Sequence, residues 1–259
     1  MEKLFNSVSK IVLVVEYDGR NYYGFQWQAK LPTIQSELES VIRRVAGESS
    51  RVMAASRTDT GVHARGQVVS FRTQSSLTPQ VFIRALNYYL PKDIAVKGAC
   101  KMNMDFNVRR DAVSREYDYC ILNSSTRSPL FDGFAYFVPK KLNTRIMNMA
   151  CKFLEGEHDF VSFATALGKP RSTVRTVYKA KVTKKDDVVT YNMMANSFLP
   201  HQVRNTVGLL IRVGLGKVGL DEFSQIMEAK LLGLAGPTAP ACGLFLNKVN
   251  YPANLELAI

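Results

Sequence analysis

The chain is poor in cysteine: Cys100, Cys120, Cys151 and Cys242 lie far apart in 259 residues and form no C-x-x-C pair. That argues against a structural zinc site and against a disulfide framework. Buried free thiols in a reducing compartment suit the apolar stretches in which each cysteine lies. No apolar run approaches the roughly 20 residues of a membrane span, and the opening Met1-Glu2-Lys3-Leu4-Phe5-Asn6 has no secretory hydrophobic region. A cytoplasmic protein without membrane association is expected. Walker A and H-E-x-x-H sequences are missing as well. Gly214-Leu215-Gly216-Lys217-Val218-Gly219 spells G-x-G-x-x-G, but it follows a helical pattern instead of a strand, so the dinucleotide fingerprint has no mechanism there. Helix-ending glycines account for it better. No cofactor motif remains, and no cofactor or metal is expected.

Acidic residues are scarce relative to bases, 22 Asp+Glu against 34 Lys+Arg, for a formal charge of +12. Nucleic acid is the default partner of such a surface. From Leu167 to Lys185 no acid occurs, while Lys169, Arg171, Arg175, Lys179, Lys181, Lys184 and Lys185 do. Arg109, Arg110 and Arg115 form a second cluster, and Lys140, Lys141 and Arg145 a third. With 46% apolar residues, these are patches on a folded body and not a disordered tail.

Hydrophobic periodicity gives an order of elements that occurs twice. Ile11 to Tyr17 reads as a strand. Ile34, Leu38, Val41, Ile42 and Val45 share one helix face between the cap Thr33 and Gly47. Val52–Ala55 and Gln67–Phe71 read as buried strands, Thr78-Pro79 opens a helix through Phe82, Leu86 and Tyr89, and Ile94 to Cys100 is a strand. This β-α-β-β-α-β order is the split βαβ, ferredoxin-like arrangement. The second half repeats it: Glu116 to Leu122, a helix capped by Asn143, strands Val174 to Val182 and Val188 to Ala195, a helix Val203 to Val213, another capped by Asp221, and a strand Leu244 to Val249. The expected fold class is α+β, with two ferredoxin-like units, residues 8–105 and 109–250. No Gly/Ser- or Pro-rich linker separates them, so they are expected to pack together around a central cleft.

One connection concentrates chemistry. Arg57-Thr58-Asp59-Thr60-Gly61-Val62-His63-Ala64 joins two predicted strands, where a scaffold holds reactive groups. Asp-Thr-Gly is also an ordinary turn. It is further the triplet of aspartic proteases, but that triplet ends an apolar strand and needs a second copy, which here only a homodimer could supply. Arg57 beside the acid suggests instead a carboxylate kept ionised by a cation. His158, between Glu157 and Asp159, reads as a solvated polar turn in the absence of a distant partner ligand.

Along nearly its whole length the sequence resembles the TruA-type tRNA pseudouridine synthases. The matching motifs are Glu16-Tyr17-Asp18-Gly19, Tyr22-Tyr23-Gly24-Phe25-Gln26-Trp27-Gln28, the Asp59 octapeptide with Gly66-Gln67-Val68, and Arg115-Glu116-Tyr117-Asp118-Tyr119. Gly156-Glu157-His158-Asp159-Phe160, Val203-Arg204-Asn205 with Val207-Gly208, and Gly243-Leu244-Phe245-Leu246 continue the match. The resemblance implies isomerisation of uridine to pseudouridine in the anticodon stem-loop of tRNA, typically at positions 38 to 40, by a homodimer in which one tRNA touches both subunits. It implies Asp59 as the essential catalytic aspartate, Tyr117 packing against the target base, and Arg204 paired with that aspartate. Arg57 is placed to fill the gap left by an extruded base or to hold a phosphate, and Arg109, Lys169 and Arg171 to bind RNA. The chain departs from the family at Thr60, usually Ala, at Asn107-Val108-Arg109-Arg110-Asp111, and at Pro200-His201-Gln202. A non-catalytic RNA-binding or chaperone protein on the same scaffold is the alternative, since split βαβ units also make RNA-recognition modules. The joint presence of Asp59, Tyr117 and Arg204 favours the enzyme.

Overall fold

In a computed structural model, residues 8–165 and 172–253 are described. The chain clusters into two compact units, one running through Val113 and resuming at Leu246, the other Ser114–Phe245. Together they give an α+β protein of mostly antiparallel strands and packed helices.

The first unit begins with β1 (Ser9–Tyr17), in which Ile11, Val12, Leu13 and Val15 are almost inaccessible. Strand β1 is flanked on both sides, so its apolar run is core throughout. Helix α1 (Ile34–Ala46) starts at Thr33, whose hydroxyl accepts from Ser36 N while Ser36 caps in return, and it ends at Gly47. Its Ile34, Leu38 and Ile42 are buried, each contributing about 1.5–3 kcal/mol by leaving water. Then come β2 (Met53–Ala54), β3 (His63–Thr73), α2 (Pro79–Tyr89) and β4 (Ile94–Met102). Thr78 caps α2 by accepting from Val81 N, with Pro79 in the first turn, where its missing N–H costs nothing. Strand β1 pairs antiparallel with β3 and β4, and β2 pairs with β3. The resulting order β4-β1-β3-β2 is that of a split βαβ sheet.

The second unit carries β5 (Ser114–Leu122), β6 (Tyr136–Phe137), α3 (Thr144–Cys151), β7 (Gly156–Asp159), β8 (Val174–Lys185), β9 (Val188–Ala195), α4 (Gln202–Gly214) and α5 (Leu220–Glu228). Its strands run antiparallel in the order β5-β9-β8-β7, with β6 parallel to the end of β5. Strand β9 alternates strictly, burying Val189, Tyr191, Met193 and Ala195. Asn143 caps α3 as its position predicts. Helix α4 is buried on almost every side, Gln202, Asn205 and Thr206 included, which makes it the central helix of the unit. The last strand, β10 (Leu244–Asn250), starts in this unit and continues into the first, beside β3.

Several sequence expectations change. The stretch Val52–Ala55 pairs only at Met53 and Ala54, with the Met53 side chain exposed, and β3 starts at His63, four residues before Gln67. Strand edges blur here because Gln67 spends its amide on the acid loop. Strand β7 covers the segment around His158 that reads as a turn, and His158 Nε2 lies 2.8 Å from Glu155 O. Asp221 sits inside the first turn of α5, whose cap is Gly219, so it acts on the helix dipole and not as the cap. Gly214 ends α4 and Gly219 precedes α5, a helix-to-helix link. Cys100 and Cys151 are buried, but Cys120 and Cys242 are only half-buried because their strand and turn positions face outward in part. The chain from Leu246 groups with the first unit, whereas the sequence pattern assigns it to the second. Among the described residues no helix is long and apolar enough to cross a membrane.

Candidate functional site

Asp59 lies half-buried at the head of a tight turn in the first unit. Val62 N donates to Asp59 O at 3.1 Å, and Gly61, third in the turn, has φ 76, a conformation open to glycine and costly for other residues. The residue before the acid is fastened from two directions. Thr58 Oγ1 is 2.7 Å from the Tyr17 hydroxyl at the end of β1, and Thr58 O accepts from Phe25 N at 3.0 Å. Gly24 approaches the same carbonyl so closely that a Cβ would sit 2.7 Å from it. Further back, Gln67 on β3 donates to Ser56 O at 2.8 Å while Ser56 N donates to Gln67 Oε1 at 3.3 Å. A fully buried glutamine amide satisfied by backbone on both ends clamps the strand that leads to the acid.

The loop 18–28 forms the outer frame. Gly19 N donates to His63 Nδ1 at 3.2 Å, and Asp18 Oδ1 lies equally far from that nitrogen. One nitrogen cannot accept from the first and donate to the second, and the amide is a fixed donor, so Nδ1 is the acceptor here. Asp18 is satisfied instead by Arg20, 2.6 Å from Oδ2. Burial works against ionisation of Asp18, but the side-chain and backbone hydrogen bonds from Arg20 outweigh it and hold the carboxyl below its usual range. Tyr22 donates its hydroxyl to Asp93 at 2.6 Å, and burial followed by that carboxylate raises its pKa far above the ordinary phenol range. The frame is therefore tied to the starts of β3 and β4, at the end of the sheet where β1 finishes.

In the second unit Tyr117 projects from β5 opposite Met193, is 5% exposed, and meets the Phe198 ring edge-to-face at 5.1 Å. Two residues earlier, Arg115 is buried and donates to Asn196 O at 2.9 Å. Arg204, half-buried on α4, donates through Nε to Ala239 O at 2.8 Å, and Ala239 N returns a bond to Arg204 O at 3.1 Å. The rest of its motif grips the same segment. Asn205 donates to Phe163 O at 2.7 Å and accepts from the Thr238 hydroxyl at 2.6 Å. Gly208 allows the closest approach of all, since a Cβ there would lie 1.9 Å from Pro237 O. The helix thus holds the segment 236–239, and that segment in turn fixes the Arg204 stem.

Asp59, Arg57 and Arg109 belong to the first unit, Tyr117 and Arg204 to the second. Arg57 is exposed beside the acid loop. Arg109 is exposed in a turn organised by Asn107 Oδ1, which accepts from the amides of Arg109 and Arg110 at 3.0 Å, while Arg110 pairs with Asp111. The altered Asn107–Asp111 sequence is thus a self-bonded turn that presents Arg109. Lys169 and Arg171 lie outside the described residues. Sequence reasoning gave no role to Tyr17, Gln67, Gly24 or Asn205. The available signal was a polar residue within an apolar run, strongest at Gln67. No metal-holding cluster of His, Cys, Asp or Glu occurs among the described residues.

A family model described as tRNA pseudouridine synthase matches residues 13–111 and 150–252. Asp59, Arg57 and Arg109 fall in the first stretch and Arg204 in the second; Tyr117 lies between them. The tRNA pseudouridine synthase A of Legionella pneumophila (strain Corby) is 40% identical over 248 residues, 96% of this chain and 95% of that protein. The enzyme of the same name from Acetivibrio thermocellus is 39% identical over 93% of this chain and 99% of its own length. That from Francisella tularensis subsp. novicida is 37% identical, covering 93% of each. Of solved structures, an archaeal box H/ACA sRNP Nop10-Cbf5 complex aligns with TM-score 0.39 and 12% identity over 79% of this chain and 44% of that one, a likeness too slight to bear on the argument.

Proposed function

Because the chain belongs to the tRNA pseudouridine synthase family, we propose that it isomerises uridine to pseudouridine in the anticodon stem-loop of tRNA, at positions 38, 39 and 40, with Asp59 as the catalytic carboxylate. The observation that carries this reading is the bracing of the Asp59 loop by Tyr17, Phe25 and Gln67. A turn needed only to connect two strands does not require three anchors on the residues around its aspartate; a group that must be held for chemistry does.

The reaction breaks the N1–C1′ bond, turns the uracil and joins C5 to C1′. The proton lost from C5 balances the one gained at N1. No electrons and no donated group are required, so the chain's own residues suffice. Asp59 serves either as nucleophile at C1′ or as the base that draws a proton from the sugar to give a glycal. Either role needs a charged carboxylate screened from water, which is costly without a counter-ion; Arg204 is proposed as that counter-ion. The uridine must leave its stack first, at a cost of a few kcal/mol. Tyr117, braced by Phe198, packs against the extruded base, and Arg57 occupies the gap or holds the adjoining phosphate. Arg109, Lys169 and Arg171 neutralise phosphates along the stem. The protein acts as a homodimer in the cytoplasm, with one tRNA engaging both subunits.

Mapping of pseudouridine in tRNA from cells with and without this protein tests the reading. Loss of the modification at positions 38 to 40 alone supports it; an unchanged map removes it.

A further inference from the structure

The loop that braces the acid turn also carries an aromatic surface for which the chemistry above has no use. Phe25 points inward and is 2% exposed, but Tyr23 and Trp27, two residues to either side, are 48% and 46% exposed. Trp27 is the chain's sole tryptophan. The segment is rigid. Trp27 N donates to Gln35 Oε1 at 2.9 Å, and the Gln35 amide reaches Val52 O at 3.1 Å from the first turn of α1. Tyr23 N donates to Pro32 O at 2.9 Å, and Gln28 Nε2 closes back on Tyr23 O at 2.6 Å. The Arg51 guanidinium stands over the Trp27 ring, 5.8 Å from its centroid, and is mostly exposed. Arg51 Nη1 makes one long contact, 3.4 Å, with Glu39 Oε2, while Glu39 Oε1 accepts from Val52 N at 2.9 Å and from the Gln35 amide at 2.7 Å, so the rest of the guanidinium faces outward over the ring.

We infer that Trp27, with Tyr23 and Arg51, is a stacking platform for an unpaired nucleotide of the RNA substrate, the base lying on the indole and its phosphate meeting Arg51. This rests on the tRNA reading above and adds a binding element to it. An indole held in water on a bonded loop has only its two side-chain torsions left to fix on meeting a base, so stacking is gained at little entropic cost. The positive charge over the ring suits a polyanion and disfavours a second copy of this basic chain. Because Phe25 N holds Thr58 O in the same loop, a nucleotide seated on Trp27 is registered to the acid turn.

Titration of the wild-type protein with a tRNA transcript, followed by Trp27 fluorescence, tests this directly. Emission is expected to be quenched, saturating at the concentration at which filter binding saturates. Trp27→Ala is expected to raise KM about tenfold with kcat within about twofold, and Trp27→Phe to restore most of the loss. Arg51→Gln should lower the salt slope of binding by about one. Unchanged emission on saturating tRNA, wild-type KM in Trp27→Ala, or emission that changes with protein concentration before RNA is added would each overturn the platform. Quenching without any pseudouridine formed would leave the platform standing and remove the proposed activity instead.

Discussion

The Tyr17 hydroxyl lies 2.7 Å from Thr58 Oγ1, so the residue immediately before Asp59 is bonded to the end of the first strand. The two are 41 positions apart in sequence, and the link converts a surface turn into an anchored one.

Tyr17→Phe removes that hydroxyl and leaves the buried Thr58 side chain short of its partner. A stability loss of about 1–2 kcal/mol is expected, read from urea unfolding. The kcat on a tRNA transcript should fall several-fold while KM holds, since the acid and not the RNA surface is loosened. A KM effect alone would show that the contact serves binding.

Gly208→Ala probes the second anchor. Its Cβ would meet Pro237 O at 1.9 Å, a contact neither backbone can accommodate without moving. Destabilisation of about 1–3 kcal/mol is expected from overpacking, together with lost turnover because the segment that binds Arg204 through Ala239 is displaced. Wild-type melting and turnover would contradict this.

Much of this frame is legible in the sequence, and the reason is local. Thr33, the spacing of Ile34, Leu38 and Ile42, and Gly47 mark α1 unaided, and the alternation of β9 marks a half-buried strand. What sequence does not disclose is set by distant partners. Gln67 reads as one residue of an apolar strand, and only the fold brings Ser56 to it. Helix α4 shows one apolar face through Val203, Val207 and Leu210, yet its polar Gln202, Asn205 and Thr206 are equally buried: Asn205 bonds Phe163 O and the Thr238 hydroxyl, Gln202 accepts from Leu199 N, and Thr206 donates back to Gln202 O. Strands β6 and β7, two and four residues long, are too short to show a period. For the site, the Asp59 turn stands out on composition, whereas Tyr117 and Arg204 look like a core aromatic and a surface charge until the family motif is considered.

Arg204→Met keeps an unbranched apolar stem and removes the charge. As the proposed counter-ion of Asp59, its loss should lower kcat by about a hundredfold or more while tRNA affinity stays within a few-fold. The lost bond to Ala239 O should cost only about 1 kcal/mol of stability. Arg204→Lys should recover part of the rate, keeping charge but not the fork geometry. Weakened tRNA binding with full turnover at saturation would assign Arg204 to the RNA instead.

The central claim is that Asp59 performs the chemistry. Asp59→Asn preserves size and hydrogen-bonding capacity, and the Gly61 turn and the Thr58 anchors do not depend on the charge. The measurement is tritium release from C5 of labelled uridine in a tRNA transcript, run beside a binding assay on the same preparation. The account predicts binding close to wild type and no detectable release. Release at a rate near wild type from Asp59→Asn would contradict it.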